Sequence, residues 1–385
     1  MTQANRRRNL HQQLAPSFSM TDEDYMRLAI AAGRRTSGAT GTNPAVGCVI
    51  VNAGAVVAVA ATAQGGRPHA ETLALDMAGA RAAGATVYVT LEPCSHHGRT
   101  PPCADALLSA GVGRVVTAID DPDPRVSGAG HARLRKAGIA VTEGVLADEV
   151  RDELAGYLSR HLNNRPQVIL KLAVSADDKI TAERGKPTRI TGPEVKARVH
   201  LMRSRADAIM VGVSTVLADN PDLTCRLPGL CHRSPVRVVS DSKLSIPLDS
   251  RLVETARQVP VWVMTTKAAS EQKQSELVAR GVRVFSCAST QDGKVELADM
   301  MARLAQEGIS TVLAEGGAHM ARALLEQDLV DRVHLFSAPG KLGEGGLAAL
   351  AGLPLDTVRA SAKFRQAAEN EKLGKDWLAT YVRVR

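Results

Sequence analysis

Aromatic side chains are scarce in this chain: four Phe, four Tyr and two Trp among 385 residues. Its cores must be built from Ala, Val and Leu, and a surface that stacks nucleic-acid bases on rings has little to draw on. No uninterrupted apolar run reaches membrane-spanning length. The longest, 46–63, is broken by Asn52-Ala53-Gly54 and reads as a β-hairpin. The N-terminus lacks the apolar segment of a secretory signal, and no acidic residue precedes Asp22. The stretch 1–20 reads as a flexible basic tail or as an upstream start ahead of Met20, with a transit peptide as the alternative. Six cysteines in so long a chain without a secretory signal point to reduced thiols and a metal, and to the cytoplasm.

What is present is ordinary for a globular protein: 44% hydrophobic and 23% charged residues. Arg6, Arg7 and Arg8 supply three of the net +8, and the mild excess left suits a phosphorylated small substrate better than nucleic acid. The length implies two or three domains. Thr21 followed by Asp22-Glu23-Asp24 caps a helix expected over 25–35. Strands over 86–91 and 114–119 and an extended stretch over 140–144 alternate with helices over 69–79, 104–110, 131–138 and 148–162. That alternation predicts a three-layer α/β domain over 21–162. Asn163-Asn164-Arg165-Pro166 reads as a linker. Strands follow over 168–175, 208–213, 236–241, 261–265, 282–287, 311–314 and 333–338, with a last edge strand over 377–384. Helices over 194–203, 271–280 and 295–306 complete a second α/β domain, 167–385.

The chemistry concentrates in His69-Ala70-Glu71 and in Pro93-Cys94 with Cys103. One imidazole and two thiols can hold Zn²⁺ and leave the fourth tetrahedral position to water, whose pKa the metal lowers towards neutrality. Glu71, two residues from His69, is placed to shuttle that water's proton. Eight residues separate the cysteines, so both thiols cannot sit on one helical turn. Cys103 is expected to open a helix, whose positive end favours a thiolate. The bland alternative is a disulfide, or two buried thiols beside a surface His; the two fragments in this order favour a zinc nucleobase deaminase. Asn43 before Pro44 either holds a ribose hydroxyl or base edge beside the metal or forms a turn.

The second half offers softer signals. Glu315-Gly316-Gly317 lies between a strand and a helix, where backbone N–H groups can approach a phosphate or a simple turn can form. The cluster 212–221 reads as a loop carrying Thr215 and Asp219, and it follows a strand end, where α/β proteins place ligands. Arg203 and Arg226 suit a phosphate, or surface salt bridges.

With these residues assembled, the chain over 21–385 resembles the bifunctional deaminase–reductase of riboflavin biosynthesis. The likeness rests on Asn43-Pro44, Val46-Gly47-Cys48-Val49-Ile50-Val51, His69-Ala70-Glu71 and the run from Tyr88 through Cys94 to Cys103. It continues in Asp121-Pro122-Asp123-Pro124-Arg125-Val126, in the run from Thr215 through Asp219-Asn220-Pro221 to Arg226, and in Glu315-Gly316-Gly317. It implies a cytidine-deaminase-like N-terminal domain and a dihydrofolate-reductase-like C-terminal domain that uses NADPH. His69, Cys94 and Cys103 would bind zinc, Glu71 would move the proton, and Asn43 and Arg99 would meet the deaminase substrate. Lys171, Asp219 and Glu315 would line the reductase site, and Arg203, Leu223 and Arg226 would hold a phosphoribosyl group. Ala173, Arg189, Thr215, Asp219, Ser242 and the stretch from Gly317 would meet NADPH. Departures are Thr62 for a His, Asp178 for a Gly, and Pro187 and Arg189 for a Ser and a Trp.

The expected function is deamination of a phosphoribosylated pyrimidine, then NADPH-dependent conversion of its ribosyl group to ribityl, by a cytoplasmic homo-oligomer. One rival is a deaminase acting on RNA. Another is a deaminase whose C-terminal domain is inactive and structural.

Overall fold

Thr21 caps the first helix, Asp22–Arg34: the Thr21 hydroxyl accepts from the Asp24 N–H, and the Asp24 carboxylate accepts from the Thr21 N–H at 2.9 Å. The computed structural model describes residues 20–96, 101–183 and 188–384. Arg99, Pro187 and the expected tail as far as residue 19 lie outside the described residues. Contacts divide the chain into two compact units. The first runs to Arg35 and takes in Val46–Thr62 and Pro68–Val150; the second contains Thr36–Ala45, Ala63–Arg67 and Arg151–Arg385.

In the first unit the hairpin appears as β1 (Gly47–Asn52) and β2 (Ala55–Ala61), joined by β3 (Thr86–Leu91), β4 (Arg114–Ile119) and β5 (Ala140–Thr142). The order is β2-β1-β3-β4-β5, antiparallel at β1 and parallel from β3 to β5. Tyr25, Met26, Ala29 and Ile30 bury one face of the first helix. That helix lies close on β1: a Cβ at Gly47 would come within 1.8 Å of the Ala29 carbonyl oxygen, so only glycine fits.

The second unit starts its sheet at β6 (Gln167–Val174) and continues in β8 (Ala208–Gly212), β9 (Val236–Ser240), β10 (Val261–Thr266) and β11 (Arg283–Cys287). A short β7 (Lys179–Thr181) pairs with β14 (Leu347–Ala348). The remaining strands are β12 (Thr311–Ala314), β13 (Arg332–Ser337), β15 (Phe364–Gln366), β16 (Glu371–Leu373) and β17 (Asp376–Arg383). The order β11-β10-β9-β8-β12-β6-β13-β17-β15 is parallel through β13, after which β17 runs antiparallel. The expected edge strand over 377–384 is an interior one: β17 pairs with β13 on one side and with β15 and β16 on the other. The expected helix over 148–162 is two, Ala147–Glu153 and Ala155–Asn163, broken at Leu154 with ψ 14°. The contact boundary falls at Val150, ahead of the expected linker. Arg160 helps hold the 36–45 segment in the second unit, donating to the Thr42 and Gly308 carbonyls at 2.6 and 2.8 Å.

The core is aliphatic, as the composition requires. Of the ten aromatic residues eight are buried, and Trp377 is the one exposed among the described residues. Rings used inside are not available for a stacking surface outside. Among the described residues no helix is long and apolar enough to cross a membrane.

Candidate functional site

His69 is the N-cap of the helix Ala70–Ala78, so its ring is fixed by the turn that starts the helix. Cys94 follows β3 by way of Glu92-Pro93, and Cys103 opens the helix Cys103–Ser109. The long excursion between the cysteines closes tightly. The Cys103 N–H donates to Cys94 Sγ at 3.2 Å, and the Ala104 N–H to the Cys94 carbonyl at 3.1 Å. Glu92 steadies this corner from below: its carboxylate accepts from the N–H groups of Asp121, Gly128, Gly130 and His131. Glu92, Asp120 and His131 also bring possible ligand atoms together, but Glu92 is filled by these backbone donors, so the cluster is structural.

His69 Nδ1 lies 3.3 Å from Cys103 Sγ and 3.7 Å from Cys94 Sγ, and the three ligand atoms lie within 4.8 Å of one another. Zn–N and Zn–S bonds of ordinary length at a tetrahedral angle give an N–S edge of roughly 3.5 Å. The donors are therefore already spaced for zinc. The hydrogen bond from Cys103, with His69 beside it, holds the Cys94 thiol down to about 4, while the same bond and burial push Cys103 upwards. A dication held between them would keep both sulfurs as thiolates. Glu71 is buried in the helix's first turn against Cys103. Burial, with Cys94 second, raises its carboxyl to about 7. Thr62, at the position of the family's His, is structural: its Oγ1 accepts from the Val46 N–H at 3.0 Å.

Asn43 belongs to the 36–45 segment, which groups with the second unit. Its N–H donates to the Thr40 carbonyl, and its own carbonyl accepts from the Thr40 hydroxyl at 2.7 Å. Gly66 packs so close that a Cβ there would meet Asn43 Nδ2 at 2.3 Å.

The second unit holds a cavity of about 530 Å³. Lys171 reaches it from β6, and Glu315 follows the end of the adjacent strand β12. Arg203 and Glu315 form a bidentate pair at 2.8 and 2.9 Å, only 12% and 9% exposed. Burial pushes Glu315 upwards, but Arg203, Lys171 and His200 outweigh it and hold the carboxyl below its usual range. Burial lowers Lys171, against the pull of Glu315. Asp219 lines the cavity with Thr215, and partial burial raises its carboxyl. These two residues stand on a helix, Val213–Asp219, where a loop was expected.

Ala173, Arg189, Arg226 and Gly317 also line the cavity. Gly317 caps the helix Ala318–Glu326, as the Glu-Gly-Gly run suggested. Leu223 and Ser242 do not reach the cavity wall. Leu223 is buried in an aliphatic cluster with Ile209, Val211 and Val216, on a backbone at φ 54°. The Ser242 hydroxyl accepts from the Val295 N–H at 2.9 Å. Of the ionisable residues that line the cavity, Lys196 and His200 are the two that the sequence did not single out. Their spacing from Arg203, seven and three residues, was the available signal: it puts all three on one face of the helix Pro193–Arg203.

Asp178 occupies a position with φ 59°, the left-handed region that explains a Gly there. Asp tolerates this conformation, and Arg359 donates to both its carboxylate oxygens, at 3.1 and 3.0 Å.

Residues 19–119 match the cytidine and deoxycytidylate deaminase zinc-binding region, which takes in His69, Cys94 and Cys103. Residues 166–378 match the RibD C-terminal domain. The riboflavin biosynthesis protein RibD of Actinobacillus pleuropneumoniae is 40% identical over 366 residues, covering 94% of this chain and 96% of its own. That of Escherichia coli K12 is 38% identical over 360 residues, covering 90% and 96%. Among solved structures, Acinetobacter baumannii RibD aligns with a TM-score of 0.83 at 32% identity, over 94% of this chain and 99% of that one. A diaminohydroxyphosphoribosylaminopyrimidine deaminase/5-amino-6-(5-phosphoribosylamino)uracil reductase of Thermotoga maritima aligns with a TM-score of 0.81 at 32% identity, over 94% and 99%. Two sites, two matched regions and relatives alike over nearly their whole length lead to one conclusion: the chain belongs to the RibD family, the bifunctional deaminase–reductases of riboflavin biosynthesis.

Proposed function

We propose that the chain deaminates 2,5-diamino-6-(5-phosphoribosylamino)pyrimidin-4-one and then reduces the deaminated product with NADPH, turning its ribosyl group into a ribityl chain. The convergence of nine expected residues on one cavity carries the second half of this reading.

In the first reaction His69, Cys94 and Cys103 hold zinc, which when bound supplies a nucleophile of hydroxide strength at neutral pH. Glu71 takes the attacking water's first proton and delivers it to a ring nitrogen, then takes the proton left on the hydroxyl newly added to the ring carbon and passes it to the amino group, which leaves as ammonia while that carbon becomes a carbonyl. A carboxyl near neutrality suits both directions of transfer. Asn43 and Arg99 keep their assignment to the pyrimidine substrate.

In the second reaction the ribose opens to an imine, and NADPH when bound supplies the hydride to C1′. Lys171 and Asp219 face the reacting sugar, and one of them gives the proton the imine nitrogen needs. Glu315, kept ionised, orients the sugar hydroxyls. Ala173, Arg189, Thr215 and the backbone from Gly317 take the cofactor. Leu223 shapes the turn that presents Arg226. The free cysteines favour a cytoplasmic enzyme, and the family resemblance a homo-oligomer.

The test is NADPH oxidation by the purified chain, given the deaminated phosphoribosylaminouracil. Deamination without NADPH oxidation would replace this reading with that of a deaminase bearing a structural C-terminal domain. Asp178 does not favour that rival, because the backbone accommodates it without loss of the turn.

A further inference from the structure

One wall of the reductase cavity is not built on the large sheet. Ile180, Thr188, Arg189, Ile190 and Thr191 line it, and none of the five is buried. Of these only Ile180 belongs to a strand, β7, and among the described residues β7 pairs with β14 alone. With so little buried apolar surface, packing holds such a wall weakly. Hydrogen bonds hold it instead.

The chain of bonds starts at Asp177, which does not line the cavity. One carboxylate oxygen accepts the Leu342 N–H at 2.9 Å, and the other accepts the Gly343 N–H at 2.8 Å. The Ser175 hydroxyl donates to the first of these oxygens at 2.6 Å. That hydroxyl, with the Leu342 N–H behind it, holds the Asp177 carboxyl well below the usual carboxylate range, so it is charged at neutral pH. Backbone bonds on either side complete the seam, from the Ala176 N–H to the Gly340 carbonyl and from the Ala349 N–H to the Asp178 carbonyl. Beyond it β14 lies on β7, with Leu347 opposite Thr181. Gly346 comes so close that a Cβ there would meet the Thr181 carbonyl oxygen at 2.8 Å. The Thr181 hydroxyl lies 3.0 Å from that of Thr188, which also accepts the Ala182 N–H at 3.1 Å. Thr188 leads directly into Arg189. The neighbouring Asp178 carboxylate turns elsewhere, to Arg359.

We propose that Asp177 is a positioning residue of the reductase: by holding the 340–343 segment it sets, through β14 and β7, the cavity wall that carries Thr188 and Arg189, and that wall meets NADPH. This rests on the reductase reading above, in which Arg189 takes the cofactor.

The full chain would be titrated with NADPH by calorimetry, beside reductase kinetics with 5-amino-6-(5-phosphoribosylamino)uracil and a thermal melt. Asp177→Asn keeps the shape, removes the charge and turns an amide nitrogen towards one of the two N–H donors. It should raise Kd and KM for NADPH about tenfold and leave kcat within about twofold, as loss of binding shared by ground and transition states does. KM for the uracil compound and Tm should stay close to wild type. Thr181→Val cuts the chain further along, at Thr188, without touching Asp177, and should raise the same Kd. Asp178→Gly, which releases only Arg359, should not. A Kd for NADPH unchanged in both Asp177→Asn and Thr181→Val, or a rise confined to KM for the uracil compound, would overturn the proposal while the wild-type reductase stands. So would an equal rise of Kd in Asp178→Gly, the mark of a general effect of surface charge. A wild-type chain that neither binds NADPH nor reduces the uracil compound would overturn the reductase reading and this proposal with it.

Discussion

Cys103 serves the metal centre twice, through its thiol and through the N–H that holds Cys94. Cys103→Ala removes only the first. That variant should keep its fold and its reductase activity while metal analysis finds the zinc gone and deamination lost. Glu71→Gln is the complementary case. It leaves all three donors in place, so zinc should stay while deamination falls by roughly 10²–10⁴, the usual worth of a positioned acid–base group. A Glu71→Gln protein that loses its zinc would move Glu71 from proton transfer to metal binding. At Asp178 the backbone decides. Asp178→Gly gives up a surface ion pair and gains a residue at ease at positive φ, so stability should change by less than about 1 kcal/mol. Asp178→Val puts a β-branched side chain into the left-handed region and should cost roughly 1–2 kcal/mol. Thermal melts of the two variants side by side would check this.

At the scale of elements, the first helix is held by more than its capping box. Arg114 donates to both oxygens of Asp22, at 3.1 and 2.7 Å, and the Tyr88 hydroxyl donates to one of them at 2.8 Å. The Arg114 bond, with Tyr88 behind it and against some burial, lowers the Asp22 carboxyl from its ordinary value. A folded pKa below the unfolded one means stability present above about pH 4, the unfolded value, and lost as pH falls through the folded value. Asp22→Asn should therefore melt earlier than wild type at pH 7, with the gap closing as the pH drops below 4. A gap that is constant with pH would mean the carboxylate's charge is not what holds the helix. The elements themselves were largely legible. Continuous apolar runs marked β3, β4, β10 and β12, because parallel strands buried on both faces need no polar alternation. The interior position of β17 was not legible, since its partners β15 and β16 are three-residue strands with exposed polar side chains and no pattern of their own. The helix Val213–Asp219 was read as a loop because its Gly, Ser and Thr neighbours look like turn residues; Val216, buried beneath it, decides the matter. Of the sites, the zinc ligands were legible as local motifs, whereas Lys196 and His200 show themselves only when a helix face is projected onto a cavity.

For the whole molecule, each compact unit has its own sheet, its own buried core and its own site. The His69–Cys94–Cys103 donors come from the first unit alone. Every residue lining the reductase cavity comes from the second. Neither set of reacting groups borrows from the other, so damage to one site should not reach the second reaction. Glu71→Gln should reduce the deaminated substrate at the wild-type rate. Lys171→Ala, which removes a half-buried ammonium from beside Glu315, should deaminate at the wild-type rate and fail to oxidise NADPH. Mixed in equal amounts and given the diaminopyrimidinone with NADPH, the two variants should together form the ribityl product that neither forms alone. The deaminated intermediate has to leave one chain and enter another, so product should appear after a lag that shortens as protein concentration rises. Two variants that are each sound in their remaining half-reaction, yet give no product when mixed, would show that the intermediate does not pass through solution and that the two sites work as one.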